Sequence, residues 1–181
     1  MKLTIISGTN RRDSRTLLVA KHVAGLYGAV DGVDVTLVDL QDLPPGLLDP
    51  DAYANKPEAL TPMVDAVLHA DGLVIVTPEY NGSFPGALKL FIDMLPFPQA
   101  FDKRPVAFIG IAAGYWGGLR PVEHLQQVFG YRNALQYPER VFCPSAHNSI
   151  DEHGAPTVPL AIELLGKQVT GFVDFIRRLK A

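Results

Sequence analysis

The chain contains little cysteine, little net charge and no long apolar run. Cys143 is the single cysteine among 181 residues, so no disulfide can form within the chain, and its thiol is expected to be a buried small hydrophobe. The net charge is −3, whereas proteins that bind nucleic acids or anionic membranes usually have a basic surface, so neither partner is expected. The apolar stretch at residues 106–119 is too short to span a bilayer, and no signal peptide is recognisable. These features predict a soluble cytoplasmic protein.

Three motifs that would identify a common ligand or metal site are also missing. The first loop ends in Asp13-Ser14, where a Walker A loop needs Gly-Lys-Ser/Thr. The same loop has one glycine, Gly8, where a dinucleotide fingerprint needs three. The five histidines show no paired spacing typical of metal ligands on a helix, so no metal site is expected.

A serine hydrolase is a minor alternative, and its identifying motif is also missing. Ser83 or Ser145 could act with His147 or His153, which lie in a segment rich in polar side chains. The segment Gly82–Gly86 misses the Gly-x-Ser-x-Gly nucleophile elbow by one residue, however, so the motif that would support this alternative is not formed.

Short apolar runs alternate with helical patterns along the chain. Three runs are apolar on both faces, which is typical of central parallel strands: residues 3–6, 72–77 and 105–111. Residues 33–38 alternate and are β-branched, and residues 140–143 form a short fifth run. The alternation predicts an α/β fold, a doubly wound five-stranded parallel sheet with helices on both faces, formed by one domain over residues 1–181. Its expected strand order is the flavodoxin-like 2-1-3-4-5.

The helical patterns follow the strands, and one long segment shows neither pattern. Apolar residues recur at three- and four-residue steps in five stretches, which are residues 17–27, 63–70, 87–95, 119–129 and 159–179. Residues 44–57 are rich in Pro and Asp and are expected to form a surface loop.

The loop that joins the first strand to the first helix has the composition of an anion site. The N-terminal N–H groups of a helix lack internal partners and carry partial positive charge. Thr9, Ser14 and Thr16 add hydroxyl donors, and Arg11 and Arg12 add formal charge. Side-chain hydroxyls in place of bare glycine backbone favour a terminal monophosphate over a pyrophosphate. Ser14 is also a good helix N-cap, so phosphate binding and plain capping are both open.

Two further loops follow central strands and share unusual compositions. Residues 78–86 combine two aromatic side chains, Tyr80 and Phe84, with polar groups, as a planar heteroaromatic ligand requires, although an ordinary βα turn is the alternative. Residues 112–118 are rich in glycine, which allows backbone N–H groups to approach a ligand or merely accommodates a turn. The carboxyl ends of parallel strands meet at one edge of a sheet, so the three loops are expected to converge there.

Together these loops resemble the NAD(P)H-dependent FMN reductase family, which includes flavin, quinone, azo-dye and chromate reductases on the flavodoxin-like fold. The resemblance rests on residues 7–14, 78–89 and 114–120 and covers most of the chain. It implies that FMN phosphate is held by Thr9, Arg11, Ser14 and Thr16. It implies that the isoalloxazine ring is lined by Pro78, Glu79, Tyr80, Asn81 and Ser83, and that its pyrimidine edge is approached by Gly114. Two departures from the family pattern are Thr9, where many members have serine, and Ala112-Ala113, which lose one hydroxyl donor.

The resemblance also implies an activity. FMN would pass hydride from NADPH or NADH to a small-molecule acceptor such as a quinone, free flavin, azo compound or metal oxyanion. The cofactor supplies the chemistry, so no catalytic side chain is expected. The alternative is a flavodoxin-like electron carrier that does not itself oxidise a nicotinamide. A homodimer or homotetramer is expected, with subunits packed near the flavin.

Overall fold

The chain folds around a parallel β-sheet, as seen in a computed structural model that describes residues 1–180. The strands are β1 (Lys2–Ser7), β2 (Asp34–Asp39), β3 (Gly72–Pro78), β4 (Pro105–Ile111), β5 (Leu135–Gln136) and β6 (Val141–Cys143). The order β2-β1-β3-β4-β5 confirms the prediction, and every pairing is parallel. β3 and β4 are buried along their whole length because helices cover both faces.

Helices connect the strands. They are α1 (Arg15–Gly28), α2 (Thr61–Leu68), α3 (Gly86–Met94), α4 (Leu119–Tyr131), α5 (Ala146–Ser149) and α6 (Pro159–Lys180). The segment expected to be a loop at residues 44–57 contains two short 3₁₀ turns, Pro45–Leu48 and Pro50–Tyr53, and it places Leu47 and Ala52 in the core. Among residues 1–180, no helix combines the length and the apolar character that a membrane crossing needs.

The sheet separates two apolar cores. Residues of α1 and α6 pack on one face, where Phe172 of α6 contacts Tyr27 of α1 edge-on at a centroid distance of 6.4 Å. Residues of α2, α3 and α4 pack on the other face, where Phe129 meets Phe108 of β4 at 5.5 Å. Alternate residues of each strand face opposite cores, so β1, β3 and β4 each contribute residues to both cores.

The strand expected at residues 140–143 is observed as β6, and a further strand of two residues, β5, precedes it. β5 pairs with the first residues of β4, and β6 pairs with its last three. Between them stands Pro138, which has no N–H to donate to the ladder. The side-chain amide of Gln168, on α6, bridges the gap between the two chain segments: it donates to the carbonyl of Phe108 at 3.1 Å and to that of Glu139 at 2.7 Å. The prediction of one strand at residues 140–143 therefore missed β5, because its two residues and the following proline leave no strand pattern.

Two glycines allow the loops to pack closely against the strands. Gly8 donates its N–H to the carbonyl of Val76 at 2.8 Å, and a Cβ at Gly8 would lie 2.8 Å from that same oxygen. A Cβ at Gly110, inside β4, would lie 2.6 Å from the carbonyl oxygen of Gly118. Gly117 and Gly118 adopt positive φ angles of 60° and 88°, which turn the loop back over β4. These contacts fix the first and third loops relative to the sheet.

Gly110→Ala is expected to destabilise the protein by about 1–3 kcal/mol, because the added methyl group meets backbone atoms that cannot rotate away. Gly166→Ala is the matched control: Gly166 lies within α6, where a Cβ has no neighbour within 4 Å. The control should gain roughly 0.5–1 kcal/mol of helix stability. Urea denaturation of both variants measures the difference. If the free energy of unfolding of Gly110→Ala equals that of the wild type, the close packing of the third loop on β4 is contradicted.

Candidate ligand-binding site

Four loops meet at the carboxyl edge of the sheet, beyond the ends of β1, β3, β4 and β6. Backbone hydrogen bonds join neighbouring loops. Glu79 donates to the carbonyl of Ile111 at 2.9 Å, Ala112 donates to that of Cys143 at 3.2 Å, and Ala146 donates to that of Ala112 at 2.9 Å. The expected convergence of three loops is therefore observed, and a fourth loop after β6 joins them.

A cavity of about 330 Å³ is lined by residues of all four loops. Six residues expected in the site line it: Arg11, Ser14, Thr16, Pro78, Glu79 and Tyr80. Apolar groups that the site prediction did not include, Ile111, Ala112, Ala113 and Ala146, form another part of its wall. Arg11, Arg15 and His147 bring basic groups to the lining and Asp13 brings one carboxylate, so the lining suits an amphipathic ligand with an anionic group.

The N-terminus of α1 forms the polar end of this cavity. Ser14 is the N-cap, and its Oγ accepts a hydrogen bond from the Leu17 N–H at 3.1 Å. The backbone N–H groups of Arg15 and Thr16 have no acceptor within residues 1–180. Capping and cavity lining are thus both roles of Ser14. The free N–H groups, the helix dipole and the guanidinium of Arg11 make this end favourable for an anion.

Thr9 does not line the cavity but links the first two loops. Its side chain is fully buried, and its Oγ1 lies 3.0 Å from the hydroxyl of Tyr80. The same oxygen accepts a hydrogen bond from the N–H of Arg11 at 3.2 Å. A hydroxyl at this position therefore orients the loop that carries Arg11 and the ring that carries the Tyr80 hydroxyl.

A second cavity, of about 210 Å³, adjoins the first and shares Glu79, Ala112 and Ala113 with it. Gly114 and Asn81, both expected in the site, line this second cavity. So do Trp116 and Arg120, and Arg120 Nη1 lies 3.3 Å from Glu79 Oε1 across the opening. Both side chains of this ion pair have access to solvent, so it contributes little to stability.

The second loop is shaped by a tight turn. Tyr80 and Ser83 exchange two backbone hydrogen bonds, of 2.8 and 3.1 Å. Asn81 and Gly82 between them have positive φ angles of 50° and 79°, as a two-residue hairpin turn of this kind requires. The Asn-Gly pair is therefore explained in part by backbone geometry, which was the alternative open at the sequence level.

Ser83 lines neither cavity, and its partner is a histidine that the sequence prediction did not name. Ser83 Oγ lies 2.8 Å from Nδ1 of His124 on α4. Among residues 1–180 no carboxylate forms a hydrogen bond with His124, so the third member of a hydrolytic triad is missing. His153 lies beside Glu152, and its Nε2 is 3.6 Å from Oε1 of that residue. The hydrolase alternative gains no support from this arrangement.

The fourth loop supplies residues that the prediction of the ligand site did not include. Ala146 and His147 line the larger cavity. Arg15 Nη1 donates to the carbonyl of Ile150 at 3.2 Å, which fastens this loop to the start of α1. The available signal was topological: the predicted fifth strand also ends at the carboxyl edge, so the loop after it belongs with the other three.

Cys143 is buried at the end of β6, as expected. Burial raises the pKa of its thiol to about 12, so the thiolate needed for nucleophilic chemistry is scarce near neutral pH. Cys143 therefore supports the site as a packing residue, below the loop that carries Ala146.

Comparisons with known proteins point to one family. The sequence model of NADPH-dependent FMN reductases matches residues 1–148. The NAD(P)H-dependent FMN reductase of Pseudomonas aeruginosa is 34% identical, over 99% of this chain and 97% of its own length. The quinone reductase of Escherichia coli K12 is 30% identical, over 99% of this chain and 97% of its own. The structure of FerB, a flavoenzyme NAD(P)H:(acceptor) oxidoreductase from Paracoccus denitrificans, is similar with a TM-score of 0.79 and 27% identity, covering 98% of this chain and 97% of that one.

Proposed function

The chain belongs to the NADPH-dependent FMN reductase family, and we propose that it is an FMN-dependent NAD(P)H oxidoreductase whose small-molecule acceptor is a quinone. Azo compounds, free flavin and metal oxyanions are alternative acceptors of the same electron pair. We place it in the cytoplasm, where NADH and NADPH are available as donors. The observation that carries the proposal is the cavity of about 330 Å³, which is lined by residues at the N-terminus of α1 and by apolar groups of the neighbouring loops.

The residues present fit the phosphate of FMN. A phosphate dianion needs several donors, and the α1 terminus offers the unpaired N–H groups of Arg15 and Thr16. The hydroxyls of Ser14 and Thr16 and the guanidinium of Arg11 line the same cavity. Hydrogen bonds to a charged group such as a phosphate are stronger than hydrogen bonds between neutral groups. We assign phosphate binding to Arg11, Ser14 and Thr16, and to Thr9 the support of this loop through its bond to Tyr80.

The remaining site residues fit the flavin ring system. Pro78, Glu79 and Tyr80 line the cavity beside the phosphate end, and Asn81 and Gly114 line the adjoining one. A Cβ at Gly114 would meet no atom within 4 Å, so this backbone faces open space from which a ring edge can be approached. We assign ring contacts to these five residues. Ser83 does not contact the ring in this assignment. It stabilises the turn at Asn81-Gly82 through its backbone and forms a hydrogen bond with His124.

Held by Arg11, Ser14 and Thr16 at its phosphate, FMN would supply the chemistry of hydride transfer from a nicotinamide to the acceptor. The protein's task is then to hold the ring and to keep one face open at near-attack distance. The hydrogen bonds between the loops keep the walls in place, while the ion pair of Arg120 and Glu79 borders the opening. No side chain needs to act as an acid or a base, so we assign no catalytic residue.

Reduction by a nicotinamide distinguishes the reductase from an electron carrier. Mixed anaerobically with NADPH or NADH, the FMN-loaded protein should bleach in one two-electron step, and an added quinone should restore its colour. His147→Ala and His153→Ala should keep the rate within a few-fold of wild type, about 1 kcal/mol in barrier, because neither histidine has a chemical role. Stopped-flow absorbance measures both steps. A loaded protein that neither nucleotide bleaches would exclude the reductase and leave the carrier.

Arg11→Ala is expected to weaken FMN binding about tenfold, which corresponds to about 1.4 kcal/mol, because it removes a charged donor from the phosphate end. Arg12→Ala is the matched control, since Arg12 is a neighbouring exposed arginine that does not line the cavity. Riboflavin, which has no phosphate, should bind equally to all three proteins. Flavin fluorescence quenching gives the affinities. A loss of riboflavin binding equal to that of FMN would show that the loop had lost its shape instead.

We propose a homodimer, with a homotetramer as a further possibility. The large apolar residues of α3 are mostly buried within the chain, so α3 itself offers little apolar surface to a second subunit. The support for a dimer comes from two exposed aromatic side chains, Phe97, which is 56% exposed, and Tyr131, which is 81% exposed. Arg132 lies between them, with its guanidinium 4.4 Å from the Phe97 ring centre. Tyr131→Glu should shift the protein toward monomer in sedimentation velocity, whereas Leu48→Glu, at an exposed residue elsewhere, should not. A wild-type monomer at micromolar concentration would refute the dimer.

A further inference from the structure

An apolar groove of about 350 Å³ lies beside the candidate flavin site, between the third loop, β6 and the start of α6. Its lining has no charged side chain and includes Tyr115, Trp116, Phe142, Val158, Leu160 and Leu164. Trp116 is 58% exposed and Leu160 62% exposed, although both are large apolar residues. Apolar side chains at this density in a concave surface are typical of a ligand site.

Trp116 connects this groove to the candidate flavin site. The same side chain lines the cavity of about 210 Å³ with Glu79, Asn81 and Gly114. Its ring packs edge-on against Tyr115 at a centroid distance of 5.4 Å and an angle of 83°. Because Trp116 borders both cavities, the groove is the direction in which a ligand of the flavin site would extend past this side chain.

We propose that the groove holds the apolar side chain of an alkylated quinone while the quinone head group is reduced at the flavin site. This inference rests on the proposed function for the identity of the head group. The lining excludes an anionic or strongly polar extension, because burying a charge without a partner is costly. A compact quinone without a side chain does not reach the groove. The groove is thus a specificity site that favours alkylated over unsubstituted acceptors, and it takes no part in the transfer of hydride.

The test compares two exposed residues of α6, one inside and one outside the groove. Leu160 lines the groove, whereas Ile162, which is 52% exposed, does not. Leu160→Glu should raise the KM for 2-decyl-1,4-benzoquinone about fivefold or more, because it places a carboxylate against the alkyl chain. The KM for unsubstituted 1,4-benzoquinone and the rate of reduction by NADPH serve as references and should not change. Ile162→Glu should leave all three values unchanged.

A binding measurement separates this inference from the reductase function. Trp116 is the single tryptophan of the chain, so its fluorescence reports on the groove directly. 1-Octanol, which is transparent and cannot be reduced, should shift the Trp116 emission to shorter wavelength in the wild type and in Ile162→Glu, but only weakly in Leu160→Glu. If no quinone is reduced while this Leu160-dependent shift persists, the reductase proposal is wrong and the groove still binds an apolar chain.

Three results would overturn the inference. Equal octanol-induced shifts in the two variants, or equal changes in the KM for the two quinones, would show that Leu160 contacts no ligand chain. Conversion of an oligomer to a monomer by Leu160→Glu and not by Ile162→Glu, seen by sedimentation velocity, would show that a second copy of the chain covers the groove.

Discussion

The parallel register of the sheet is the constraint on which the site depends. Ser7 pairs with Val76, Thr77 with Gly110 and Ile111 with Cys143, so four strands end at nearly the same level. The loops that follow must then share one edge, and their backbone hydrogen bonds to one another satisfy groups that would otherwise be lost at the strand ends. Because backbone atoms hold the loops, most of their side chains remain free to face a ligand.

Close approach of backbone to backbone sets the depth of the site. Gly8 brings the first loop onto β3, and Gly110 admits the turn at Gly117-Gly118 over β4. A side chain at either strand-facing position would lift its loop and widen the cavities between them. Thr9 and Tyr80 then fix the lateral distance between the first and second loops through one hydroxyl pair. The precision of the site thus comes from small residues and from hydrogen bonds such as that between Thr9 and Tyr80, and not from ion pairs.

The sequence predicted the sheet order and the position of the site because these follow from strand pattern and topology. It could not predict which way a side chain turns. Thr9 and Ser83 carry hydroxyls suited to a ligand, yet the structure directs them to Tyr80 and His124. Likewise, β5 and the bridging amide of Gln168 depend on contacts between residues about 30 or more positions apart, which no local pattern records. The sequence predicts a ligand contact for Asn81, and its positive φ angle makes it a turn residue as well.

The last helix has a consequence for synthesis of the protein. α6 contributes Leu165, Val169, Phe172, Val173 and Ile176 to the core that it shares with α1 and β1. It also donates the Gln168 amide that bridges the gap in the sheet. While residues 159–180 are still within the ribosome, one face of the emerging sheet is uncovered, and its apolar strands are open to chaperones or to other nascent chains. Native folding is therefore expected to be completed only when α6 can pack on the sheet, however early the first strands and helix form.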